Sequence, residues 1–188
     1  PAPVASALES LSAYRHVFPP GDQQAENNPI AYSHLLLQVA RNASHVLSRV
    51  ADYGLDYSQR TNKLAHHVLL DSPELVQAGP SRVLTTSNLL RAEWEGEPRL
   101  VPPGSMPAAQ ERSSLRCDAW KTLTGDAGWA GVLAETFLSE PDRQVYLIFE
   151  PGMDLLPLID EAINLLPYDK RWGVTFSTYF STLPRNVK

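Results

Sequence analysis

Apolar positions set the first expectations. Val4, Leu8 and Leu11 recur at helical spacing, which predicts a helix from Val4 to Leu11. The polar, turn-rich run FPPGDQQAENNP follows it. Tyr32 to Val39 (YSHLLLQV) places Leu35, Leu37 and Val39 on one face and reads as a strand. His45 to Ala51 (HVLSRVA) reads as its antiparallel hairpin partner, joined through Ala40 to Ser44. Asp52 to Lys63 (DYGLDYSQRTNK) has no period and reads as a loop, and Leu64 to Leu70 (LAHHVLL) as a third strand. The pattern is weakest from Asp71 to Arg116, where Ser87 suits the cap of a short helix through Trp94, broken by Gly96-Glu97-Pro98.

The second half is more regular. LRCDAW reads as a helix start. Asp126 to Leu138 is the clearest helix, capped by Asp126, with Trp129, Val132, Leu133, Thr136 and Phe137 as its apolar stripe. Gln144 to Phe149 (QVYLIF) reads as a short strand, turned by Pro151-Gly152. Asp154 caps a further helix in which Pro157 falls in the tolerated first turn and the apolar positions run to Leu166. Trp172 to Phe180 alternates as a strand. Strand, helix, strand predicts a βαβ unit with a right-handed crossover. The expected fold is therefore α+β, a mixed sheet with an N-terminal antiparallel hairpin and a C-terminal βαβ unit, in a single domain over residues 1–188. Trp129, Phe137, Leu158 and Phe176 are expected to be buried.

Composition narrows the function classes. At 43% hydrophobic and 20% charged residues, the chain carries enough apolar material for a core and is not disordered. Its formal charge of -5 argues against a nucleic-acid binder, which shows a basic stripe. No apolar run reaches the roughly 20 residues that span a bilayer, so no membrane partner is expected. Cys117 is the one cysteine and has no disulfide partner in the chain. It reads as a small core residue in a reducing, cytoplasmic compartment. The chain opens PAPVASALESL without a signal sequence, and both ends read as cut points within a larger multidomain protein. Charge is uneven: nine acids face Lys121 and Arg143 between Asp118 and Glu161, while four bases face Asp52 and Asp56 between Arg41 and Lys63. Two readings stand, solvated faces or a dipolar surface that orients a partner.

The densest polar stretch runs from Asp56 to His67. Asp56, Tyr57, Ser58, Arg60, Asn62, Lys63 and His66 are the residue types that bind anions or support phosphoryl transfer. They are equally the types that hold a loop through side-chain to backbone bonds. His66 and His67 are neighbours on a strand and point to opposite faces, so they do not share a metal. No metal site or cofactor is expected. There is no GxSxG, and TLTGDAGWAG lacks the lysine and spacing of a phosphate loop.

The runs YRHVFPPGD, NPIAYSHLLL, HVLSRVADYGLDYSQRTNKLAHHVLLD, WEGEPRLVP, TGDAGWAGVLAETFL, VYLIFEPGMDLLPLIDEAINLLP and RWGVTFSTYFSTLP resemble the N-terminal module of bacterial GTPase-associated proteins. The resemblance covers Tyr14 to Pro184, and its most specific piece is Tyr57-Ser58-x-Arg60-x-Asn62-x-x-x-His66. It implies a regulatory or interaction module, encoded beside small GTPases, of an NTP-dependent conflict or signalling system. The implied partners are a small GTPase and other domains of the same protein, and the implied role is not catalytic. Two alternatives remain: a hydrolase or phosphoryl-transfer catalyst, and a phosphate-ligand sensor, each using Arg60, Asn62 and His66.

Overall fold

The computed structural model describes residues 2–39, 42–71, 75–86, 89–97, 99–100, 102 and 109–180. Helix α1 (Ala2–Leu11) precedes three long strands, β1 (Ala31–Val39), β2 (Asn42–Leu55) and β3 (Thr61–Leu70). Helices α2 (Pro80–Thr86), α3 (Asp118–Thr124), α4 (Gly128–Ser139), α5 (Leu156–Asn164) and α6 (Tyr168–Arg171) follow, and β4 (Phe176–Ser177) returns to the sheet. The sheet order is β3-β2-β1-β4 with every pair antiparallel. The fold is α+β.

Period-2 alternation gives the sheet two covered faces. One carries Leu35, Leu37, Val46 and Val50, all buried. On that face His67 of β3 meets the Ser12 hydroxyl, just after α1. The other face sets Leu47 and Leu70 against Val83 and Leu84 of α2, Leu156 of α5 and Trp172. A second apolar cluster joins α3, α4 and α5 around Trp120, Ala130, Leu155, Leu158 and Ala162. Asp126 and Asp154 do accept from the first helical amides they were read to cap, Gly128 N–H at 2.8 Å and Leu156 N–H at 3.1 Å.

Several expectations change. Ala43 and Ser44 pair with Gln38 and Leu37, so the β1–β2 hairpin closes more tightly than a five-residue connection. Asp52 to Leu55 and Thr61 to Lys63 are strand, not loop. Their alternation is illegible because β1 ends its pairing at Val50, and the two strands continue past it as a ribbon. The short helix lies at Pro80–Thr86, while described residues 89–94 are not helical; Ser87 lies outside the described residues. In α4 the buried positions are Ala130 and Ala134, with Leu133 and Phe137 half-buried, whereas Trp129 is 53% exposed and Val132 is also exposed. Ala130 and Ala134 are the fully buried positions of the helix, and Leu133 packs against the same cluster from its edge. Leu158 is buried as expected, and Phe176 is half-buried. Residues 144–149 pair with no strand among the described residues, so the βαβ unit is not formed and the sheet is not mixed. Of the run from Trp172 to Phe180, Phe176 and Ser177 pair with β1 and Thr178 N–H donates to the Tyr32 carbonyl at 2.9 Å, while Trp172 still belongs to the end of α6.

Four histidines are locked into this frame. His34 donates from Nδ1 to the Val174 carbonyl at 2.6 Å, which leaves its Nε2 to accept from His45 Nδ1 at 2.9 Å. The His67 ring sits between the Ser48 hydroxyl at 2.7 Å and the Ser12 hydroxyl at 2.8 Å. His66 points to the other face, as alternation requires. Burial pushes His34 down to about 3 and His67 down to about 4, from 6.5. The unfolded chain takes up these protons near pH 6.5, so it binds more protons than the folded chain below that pH. Stability is therefore full above pH 6.5 and falls as pH drops towards 4, by up to about 1.4 kcal/mol per pH unit for each histidine. Melts between pH 7.5 and 4.5, on the order of one scan per half unit, are expected to show a falling midpoint and a shallower fall in His67→Gln. Equal slopes in the two proteins would contradict this.

Candidate functional site

The ribbon of β2 and β3 ends in a tight turn over residues 56–60. Its organiser is Asp56. One carboxylate oxygen accepts from Ser58 N–H at 2.8 Å, the Ser58 hydroxyl at 2.7 Å and Arg60 N–H at 3.0 Å. The backbone closes the same ring: Asp56 N–H donates to the Arg60 carbonyl at 2.9 Å and Gln59 N–H to the Asp56 carbonyl at 3.0 Å. Gln59 takes up the left-handed conformation, at φ 62°, that a turn of this kind demands. The bond from Arg60 N–H, followed by that from the Ser58 hydroxyl, holds the Asp56 carboxyl below its ordinary value. Asp56→Ala is expected to speed amide exchange at Ser58 and Arg60 while leaving the melting temperature near the parent's. Unchanged exchange at both amides would remove Asp56 as the organiser.

The side chains of Tyr57, Ser58, Gln59 and Arg60 in this turn are all exposed. Tyr57 is fully exposed, and Arg60 is exposed beside it. Asp56 holds Arg60 by its backbone, so the guanidinium is not consumed in locking the turn. Asn62 and Lys63 are exposed at the start of β3, and the Asn62 side-chain carbonyl accepts the Lys63 N–H at 2.8 Å. His66 lies farther along β3, opposite Arg49, where its Nδ1 accepts the Arg91 N–H at 2.7 Å and pins that segment to the sheet. Burial and then the Arg91 charge lower its pKa, which favours the neutral ring this bond requires. Six residues of extended chain separate Arg60 from His66, roughly 20 Å. The seven residues Asp56, Tyr57, Ser58, Arg60, Asn62, Lys63 and His66 thus form a tip and one flank of a ribbon, not the walls of a cleft. A groove of about 270 Å³ between residues 26–32 and 149–155 contains none of them. Among the described residues no group of three His, Cys, Asp or Glu side chains is arranged to hold a metal ion, and no helix is long and apolar enough to cross a membrane.

Two buried acids escaped the sequence reading. Asp160 and Glu161 were counted in an acidic run of solvated character, yet both are buried on α5. Glu161 accepts from the Ala119 and Trp120 amides at the start of α3, at 3.0 and 3.2 Å, and from Arg112 Nη2 at 2.8 Å. Asp160 accepts from the Ser81 hydroxyl at 3.1 Å and lies 3.6 and 3.7 Å from Arg82 and Arg112. Burial outweighs these partners and raises the Asp160 pKa. The signal was present in LPLIDEAIN, where two acids stand among apolar residues at consecutive positions of a helix. Arg49 was also passed over; one of its guanidinium nitrogens, Nη1, is buried without a hydrogen-bond partner.

Residues 1–107 match the family described as GTPase-associated protein 1, N-terminal domain type 2. Residues 117–188 match GTPase-associated protein 1, middle domain. No curated protein and no solved structure matches the chain. The two matched stretches are joined by the Ser81–Asp160 bond, by the Trp172 indole N–H donating to the Val76 carbonyl at 2.6 Å, and by β4 on the edge of β1.

Proposed function

Because the chain belongs to the GTPase-associated protein 1 family, we propose that it is a non-enzymatic regulatory module that docks a small GTPase through the tip of the β2–β3 ribbon. The observation that carries this reading is the turn itself. Asp56 spends its carboxylate on backbone amides, and that rigid turn projects Tyr57 and Arg60 into solvent. Preorganised Tyr and Arg side chains are the usual anchors of protein contacts. Arg60 adds a planar donor fork suited to phosphate or carboxylate, the chemistry of an arginine finger.

A catalyst or a phosphate sensor built on Arg60, Asn62 and His66 needs these groups around one cleft. The strand that carries them sets Arg60 and His66 apart, which favours a contact surface. The two family segments act here as one unit of a larger cytoplasmic protein, in a bacterial conflict or signalling system, with other domains of that protein as further partners. Exchange footprinting with the purified small GTPase encoded beside it tests the docking face. Amides 56–61 are expected to slow on addition of the GTPase, and protection elsewhere with none at the tip would defeat the reading.

A further inference from the structure

A second surface, unrelated to the ribbon, lies in residues 144–149. From Tyr146 to Phe149 exposure alternates as in a strand, while Val145 before them is also exposed. Leu147 and Phe149 pack onto the cluster of Trp120, Leu155 and Leu158. Tyr146, at 68% exposure, and Ile148, fully exposed, stand outward. Gln144 shares that outward face, since its side chain accepts the Tyr146 hydroxyl at 2.8 Å. Yet none of the backbone N–H and C=O groups of residues 144–149 makes a backbone hydrogen bond to any described residue. An uncharged, proline-free apolar segment whose backbone groups pair with no described residue is a template for β-pairing with another chain.

Charge indicates what pairs with it. Residues 126–154 hold six acids, all exposed, and a single base, Arg143. Their balance of -5 equals that of the whole chain. Arg143 is engaged with Glu140 at 2.8 Å, and Glu150 continues the outward face directly after the apolar residues. A second copy of this chain would bring acid against acid. We propose that residues 144–149 receive an extended segment of a separate partner protein, which adds as a β-strand, with apolar residues at alternate positions and Lys or Arg at its flanks. This goes beyond the docking reading above and uses none of its residues.

A random peptide library displayed on phage, panned in parallel against the parent and Ile148→Lys, tests it. Ile148 is fully exposed, so the variant keeps the fold. The enriched peptides are expected to alternate apolar and polar positions, carry basic flanks, bind the parent at least about tenfold more tightly than the variant, and slow exchange at amides 145–149. Acidic or helically patterned peptides, or peptides that ignore Ile148→Lys, overturn the proposal. So do dimers formed through this segment in sedimentation, or amides 145–149 already slow in the free chain. Tyr57→Ala and Arg60→Ala should leave peptide binding unchanged, which separates this test from that of the ribbon tip.

Discussion

Glu161→Ala is expected to lower the unfolding free energy by about 3–5 kcal/mol, the cost of breaking a buried charge pair from one side. The carboxylate is buried and meets four donations from three groups: two from the Ala119 amide, one from the Trp120 amide and one from Arg112. Its loss leaves the first amides of α3 without an acceptor beside the buried Trp120, and leaves Arg112 facing only Asp160 at 3.7 Å. A buried donor left unmade carries its full desolvation cost. Glu161→Gln keeps an acceptor oxygen for the amides and gives up the charge opposite Arg112, so it should fall between the two. Urea denaturation followed by tryptophan fluorescence measures all three proteins. Parent-like stability in Glu161→Ala would show that α3 does not depend on this carboxylate.

Trp172→Ala should cost about 3–5 kcal/mol, the range for emptying a large aromatic from a core. The ring is buried in the cluster beneath the sheet. It stands edge-on to His34 at 5.2 Å and to His45 at 5.3 Å, and its N–H satisfies the Val76 carbonyl. The substitution also removes the cover that keeps His34 neutral. Since burial is the main cause that lowers His34 to about 3, its pKa should climb towards 6.5 in the variant. Titration by NMR reads this directly. Trp172→Phe restores much of the packing but orphans the Val76 carbonyl, so its loss should be smaller. A His34 pKa that stays near 3 in Trp172→Ala would mean that other groups provide the desolvation.

The sequence was most informative where one face of an element is buried. β1 follows its apolar alternation, and most of the apolar stripe read on α5 is buried, Leu155, Leu158, Ala162, Ile163 and Leu166 among it. In α4 the rule misled in part: Leu133 packs on the core cluster and Phe137 is half-buried, but Ala130 and Ala134 are the buried positions and Trp129 and Val132 are exposed. QVYLIF has the pattern of a strand, but pairing is a tertiary property and no described strand lies beside it. The tip was partly legible: Asp56 and Ser58 are turn formers at the right separation. His66 was read on its strand from LAHHVLL, but that Asn62 and Lys63 also lie on β3 was hidden, because the ribbon leaves the sheet where neither side is fully covered. Glu161 was hidden for the opposite reason, since its partners come from residues about 40 to 50 positions away.

The most direct test of the central claim is the affinity of a purified small GTPase, the partner proposed above, in its GTP- and GDP-loaded forms, for the parent and for the double variant Tyr57→Ala, Arg60→Ala. Both residues are exposed and the Asp56 bonds to the backbone remain, so the variant should melt like the parent. Calorimetric titration is expected to show binding weakened at least about 30-fold, the equivalent of about 2 kcal/mol. Equal affinity for parent and variant, with both folded, would contradict a GTPase contact at the ribbon tip.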